Sequence, residues 1–185
     1  IRPGDPSEVW VAANNGVQVS RDGGGSWSGN LLPIPANQFQ GTYGVALKPG
    51  DPQVILAAGQ ETGMFRTDDG GITWASVNDG LTTGRMHKVV FAPSQPDVAY
   101  VTTHEGIFRS SNAGLTWQPR GEGLPYTFFT PIAVDPSNPD IIYVGTASEL
   151  VTTHTGHFND GIHEGEGLYK STDGGLTWFR SDKGI

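Results

Sequence analysis

An all-β fold assembled from repeated four-stranded antiparallel units is the expectation for this chain of 185 residues, and three observations carry it. An eight-residue pattern, [ST]-x-[DN]-x-G-x-[ST]-W, occurs as SRDGGGSW from Ser20, TDDGGITW from Thr67, SSNAGLTW from Ser110 and STDGGLTW from Ser171, and it holds four of the five tryptophans. A Pro/Asp turn leading into an apolar run recurs at Pro6, Pro52, Pro96 and Pro139, in steps of 46, 44 and 43 residues, the length of one four-stranded propeller blade. The 27 glycines, 13 prolines and 16% charged residues describe many short strands joined by turns, with little or no helix.

Each unit divides into four strands. An apolar first strand (YGVAL from Tyr43, KVVFA from Lys88, PIAV from Pro131) precedes the Pro/Asp turn, where proline presets φ and cannot donate to a ladder. The second strand (EVWVAA, VILAA, VAYVTT, IIYVGT) is rich in β-branched and aromatic residues, which fit a pleated surface. The third (GVQVS, GMFRT, GIFRS, GLYKS) runs into the eight-residue box, and the fourth starts at the box tryptophan.

These units place blades at approximately 1–32, 39–81, 85–124 and 128–185, about three and three quarter in all, with the first blade expected to lack its first strand. Usual blade numbers favour a segment of a propeller of about six to eight blades, closed by the remaining blades or by a second copy. The other reading is a small propeller whose ends meet irregularly. The chain opens on Ile1, so it looks processed, truncated or excised. The fourth unit is irregular: Pro139 to Trp178 spans 39 residues where the equivalent spans are 21, 22 and 21, which places an insertion at about 148–165.

In each box the Asp or Asn at the third position (Asp22, Asp69, Asn112, Asp173) accepts hydrogen bonds from amides further on, the glycine supplies a backbone conformation that L-residues resist, and the tryptophan (Trp27, Trp74, Trp117, Trp178) buries its ring between sheets. The box is therefore read as a structural clasp, since Asn112 keeps the turn bond without the charge. The boxes resemble the Asp-box (BNR) repeats of sialidases and related β-propellers, a group that includes sortilin-type, xyloglucanase-type and Ycf48-type domains. The resemblance covers nearly the whole chain and implies an extracytoplasmic or secreted protein. It leaves function open, because one fold hosts many unrelated sites.

In an up-and-down blade the boxes share one end with the first-to-second strand turns, so the variable loops collect at the other end, where binding residues usually sit. There the sequence places Arg85, His104 and the Tyr126, Phe128, Phe129 cluster as ligand-binding candidates. Phe128 or Phe129 could instead simply begin a buried strand. His154, His157, Asp160, His163 and Glu164 in the insertion could coordinate Zn²⁺ or Ca²⁺, although a solvated loop is the ordinary reading of such a stretch; no cofactor is otherwise expected.

A net charge of -8 with no basic run disfavours nucleic acid, no 18-residue apolar stretch exists to insert in a membrane, and zero cysteine removes thiol catalysis. The sialidase resemblance would require an arginine cluster, which is missing, since Arg21, Arg66, Arg109 and Arg180 lie in or beside the boxes. The expectation is a non-catalytic module that binds protein or polysaccharide at the end opposite the boxes. The alternative is a glycoside hydrolase with acid/base carboxylates drawn from Glu61, Glu105, Asp160 and Glu164.

Overall fold

The computed structural model describes residues 1–35, 38, 41–124, 129–146 and 167–183. The described residues form fourteen strands and no helix. Three four-stranded antiparallel sheets follow one another along the chain: β3 (Thr42–Lys48) to β6 (Ala75–Ser76) by way of β4 (Asp51–Gly59) and β5 (Gly63–Thr67); β7 (Met86–Ala92), β8 (Gln95–Thr103), β9 (Gly106–Ser110) and β10 (Gln118–Pro119); and β11 (Phe129–Val134), β12 (Ile142–Thr146), β13 (Leu168–Ser171) and β14 (Phe179–Arg180). In each sheet the strands lie side by side in chain order.

The first unit has two strands, β1 (Val9–Ala13) and β2 (Gly16–Ser20), where three were expected. Its third segment still runs beside β2, with Leu31 N donating to Val17 O at 3.0 Å. Val77, Arg120 and Ser181 make the same bond in the later units, so the missing strand reflects a shorter ladder and not a different path.

The cores lie between sheets. Along β4 the side chains alternate, with Val54, Leu56 and Ala58 packing toward the sheet of β7–β10 and Ile55 and Ala57 packing with Trp10, Val17 and Leu32 of the first unit. A third cluster joins Tyr100 and Ile107 to Ile142, Val144 and Tyr169. Strands buried on both faces need apolar residues at consecutive positions, which explains runs such as VILAA and VAYV.

Of the four recurrent prolines, Pro6 and Pro139 lie in turns as expected, and Pro52 and Pro96 do not. Pro52 and Pro96 fall inside β4 and β8, just past two-residue turns, in stretches that the ladder skips: Lys48 pairs Asp51 and Leu47 pairs Ile55, leaving 52–54 without partners. The same skip follows Ala92↔Gln95. An unpaired stretch is where a residue without an N–H costs a sheet nothing.

The box turns

All four boxes fold alike. In the first, Ser20 Oγ donates to Asp22 Oδ1 at 2.7 Å, Ser26 N and Ser26 Oγ donate to the same carboxylate at 2.9 and 2.6 Å, and Gly24 N donates to Ser20 Oγ at 2.8 Å. Asp69 receives Ile72 N, Thr73 N and Thr73 Oγ1, and Asp173 receives Leu176 N, Thr177 N and Thr177 Oγ1. These bonds favour the ionised form and hold Asp22 and Asp69 well below the usual carboxylate range and Asp173 at about 2, the side-chain bond from Ser26, Thr73 or Thr177 being the largest cause.

Asn112 accepts Thr116 N at 3.0 Å and donates its amide to Thr116 Oγ1 at 2.9 Å, so the turn survives without a charge. Ala113 stands where the other boxes have glycine and adopts φ 55, the left-handed region. The next residue, Gly114, cannot be replaced so easily, because a Cβ there would lie 2.4 Å from Leu56 of the preceding sheet. Gly71 is similarly pressed on Trp10.

The tryptophans depart from the expectation in one case. Trp117 is 3% exposed and donates Nε1 to Val77 O of the preceding unit at 3.1 Å, and Trp178 donates to Arg120 O at 2.7 Å. Trp74 packs edge-on against Trp10, with centroids 6.4 Å apart. Trp27, expected to be buried, is 42% exposed, because no earlier sheet among the described residues lies against it.

Candidate functional site at the end opposite the boxes

The boxes are bonded to the unpaired starts of the second strands of their own units, as in Gly70 N to Gln53 O and Ala113 N to Asp97 O, so they share one end of the sheets with the first-to-second strand turns. At the other end, the first strands of the second and third units each carry a β-bulge. Thr42 pairs Gly59 and Gly44 pairs Ala58, which leaves Tyr43 as the extra residue; Met86 pairs Thr103 and Lys88 pairs Thr102, which leaves His87 as the extra residue. A bulge breaks the in-and-out alternation and re-aims its side chain. Tyr43 and His87 occupy equivalent repeat positions, and Gly44 lets the two strands approach, since a Cβ there would lie 3.0 Å from Val89 N.

The two re-aimed rings meet. Tyr43 stacks on His87 with centroids 6.1 Å apart and an interplanar angle of 9°, and His87 lies 4.7 Å from the ring of His104 in the β8–β9 turn. Tyr43 is 45% exposed whereas His87 is 6% exposed, so the phenol is the outer ring of the stacked pair, and His104 meets His87 at a tilt of 39°. Burial, and then the like charge of His104, push His87 down to about 4, so the imidazole is neutral at pH 7.

Charged residues stand near these rings along the chain: Arg85 is two residues before His87, and Glu61 follows Gln60, whose N donates to Gly41 O just before β3. Arg85 Nη2 lies 3.7 Å from Glu61 Oε1, each side chain being about half exposed, a pair worth little as a stability term. Backbone bonds from His104 N to Arg85 O and from Gly63 N to Gly84 O tie the Arg85 loop to the β8–β9 and β4–β5 turns. Glu105, also exposed, sits in the β8–β9 turn with its amide on Thr103 Oγ1 at 3.0 Å.

Of the residues singled out in the sequence, Glu61, Arg85, His104 and Glu105 lie at this end. Tyr126, Phe128, the side chain of Phe129, and the insertion residues His154, His157, Asp160, His163 and Glu164 lie outside the described residues. Among the described residues no group of three or more His, Asp or Glu side chains could hold a metal ion, and two imidazoles alone are short of a ligand set. Sequence reasoning missed Tyr43 and His87. The aligned repeats put a ring at the same position, in TYGV and MHKV, yet Tyr43 keeps step there with Val45 and Leu47 and His87 with Val89 and Phe91, so only the bulge re-aims them.

No protein-family model matches the chain, and no curated protein does. Among solved structures, it is similar to an ancestral GH74 enzyme (TM-score 0.77, 21% identity, all of this chain on 25% of that one). It is also similar to the GH74 enzyme of Niastella koreensis (TM-score 0.74, 21% identity, 97% of this chain on 28% of that one). A third is Ycf48 bound to D1 peptide (TM-score 0.57, 19% identity, 95% of this chain on 65% of that one). The fold is thus that of these propellers, and the chain spans about a quarter of the length of the two GH74 structures.

Proposed function

We propose that this chain is a non-catalytic binding part of a β-propeller, recognising a protein or polysaccharide partner through the end opposite its boxes. The observation that carries the reading is the Tyr43–His87–His104 ring cluster, an exposed phenol stacked on a buried imidazole, with the Arg85–Glu61 pair at the same end. By contrast, the polar groups of the box turns are engaged in bonds within the turns themselves. A neighbour bound to a peptide supports a binding role, and the Asp-box resemblance supports an extracytoplasmic setting.

The competing reading is a glycoside hydrolase, favoured by the higher TM-scores of the GH74 structures and by Glu61 and Glu105 at the same end. Turnover of aryl glycosides and soluble β-glucans separates the two. The binding reading expects no turnover, while hydrolysis that disappears in Glu61→Gln or Glu105→Gln, with the fold intact, would establish the enzyme.

A further inference from the structure

Resting on the binding reading above, we infer that the partner at the Tyr43 stack is a neutral polysaccharide, one pyranose ring of which packs its C–H face on the Tyr43 phenol. Three features select this chemistry. First, the phenol is held in place: the bulge re-aims it, the parallel His87 ring backs it, and His104 lies behind His87. A platform fixed before binding loses little entropy when a ligand arrives.

Second, Tyr43 is the one large, exposed apolar side chain at this end among the described residues, since Trp27, Ile72, Leu115, Leu176 and Phe179 lie in or next to the boxes and Ile1 adjoins the Arg2–Ser7 turn, which is bonded to the first box. The buried centre of a protein–protein interface is depleted of charge and rich in apolar contacts. A single exposed ring, with the charged pair Glu61 and Arg85 at the same end, does not provide that. It does match a sugar, which offers an apolar face for stacking and a rim of hydroxyls that a guanidinium and a carboxylate can donate to and accept from. Third, the net charge of -8 opposes an anionic polymer, so the glycan is uncharged.

The test is affinity electrophoresis at pH 7 in native gels containing hydroxyethylcellulose, galactomannan or polygalacturonate, with melting curves run on each variant. Retardation is expected in at least one of the neutral gels and not in polygalacturonate. Tyr43→Ala should weaken it about tenfold, Tyr43→Phe should retain it within about threefold, and Arg85→Ala should fall between. The inference is overturned if neither neutral gel retards the chain, if only polygalacturonate does, or if a folded Tyr43→Ala variant is retarded like the parent. Capture of a peptide at this end, lost in Tyr43→Ala while both neutral gels stay silent, would sink the glycan inference and leave the binding reading standing.

Discussion

The two ends of the same sheets are built by opposite rules. At the box end one solution is repeated: a Ser or Thr hydroxyl and a carboxylate or amide close the turn in all four units. At the other end the backbone device repeats and the side chain does not, for the bulged position is Tyr43 in one unit and His87 in the next. Repeated side chains mark what every blade needs to fold. A repeated conformation with a varying side chain marks a place where units are free to specialise.

Substitutions that cross between the ends sharpen this contrast. The largest difference is expected for aromatic truncation: Trp117→Ala, which empties a site 3% exposed between two sheets, should cost about 3–5 kcal/mol in denaturant unfolding. Tyr43→Ala, at 45% exposure, should cost about 1 kcal/mol or less. Equal losses would erase the distinction. Next comes the box carboxylate. Asp69→Ala should lower the melting midpoint by several degrees, and Asp69→Asn by distinctly less, because Asn112 already shows an amide closing the turn. An asparagine variant as unstable as the alanine one would mean that the charge, and not the bond, is what the turn requires.

Acid should separate the ends without any substitution. His87 is held near 4 in the folded chain against an ordinary 6.5, so the unfolded state binds the extra proton between those values. Its contribution is complete above pH 6.5 and is lost as pH falls toward 4. The box carboxylates, depressed from 3.8 to about 2 at Asp173, keep their contribution down to pH 4 and lose it only below. Melting curves should therefore show two acid phases, and His87→Gln should remove the first alone. A single phase below pH 4 in the parent would refute the assignment to His87.

The fold was legible because its signals are local and repeated: the box, the Pro/Asp landmark and the apolar runs recur at nearly constant spacing, and each serves the same packing between sheets. The exposure of Trp27 was not, since burial depends on whether a neighbouring sheet is present, which the box residues themselves do not encode. The site was half legible. Topology alone put Arg85, Glu61 and His104 at the end opposite the boxes, where the structure has them, but Tyr43 and His87 depend on a ladder that skips one residue, and strand alternation places such residues on the wrong side.

The most direct test of this division is to compare Asp69→Ala and Tyr43→Ala in the same neutral polysaccharide gel, each well below its melting midpoint. The box variant, although less stable, should be retarded like the parent, and the more stable Tyr43 variant should not. Undiminished retardation of Tyr43→Ala together with its loss in a folded Asp69→Ala would place binding at the box end and contradict it.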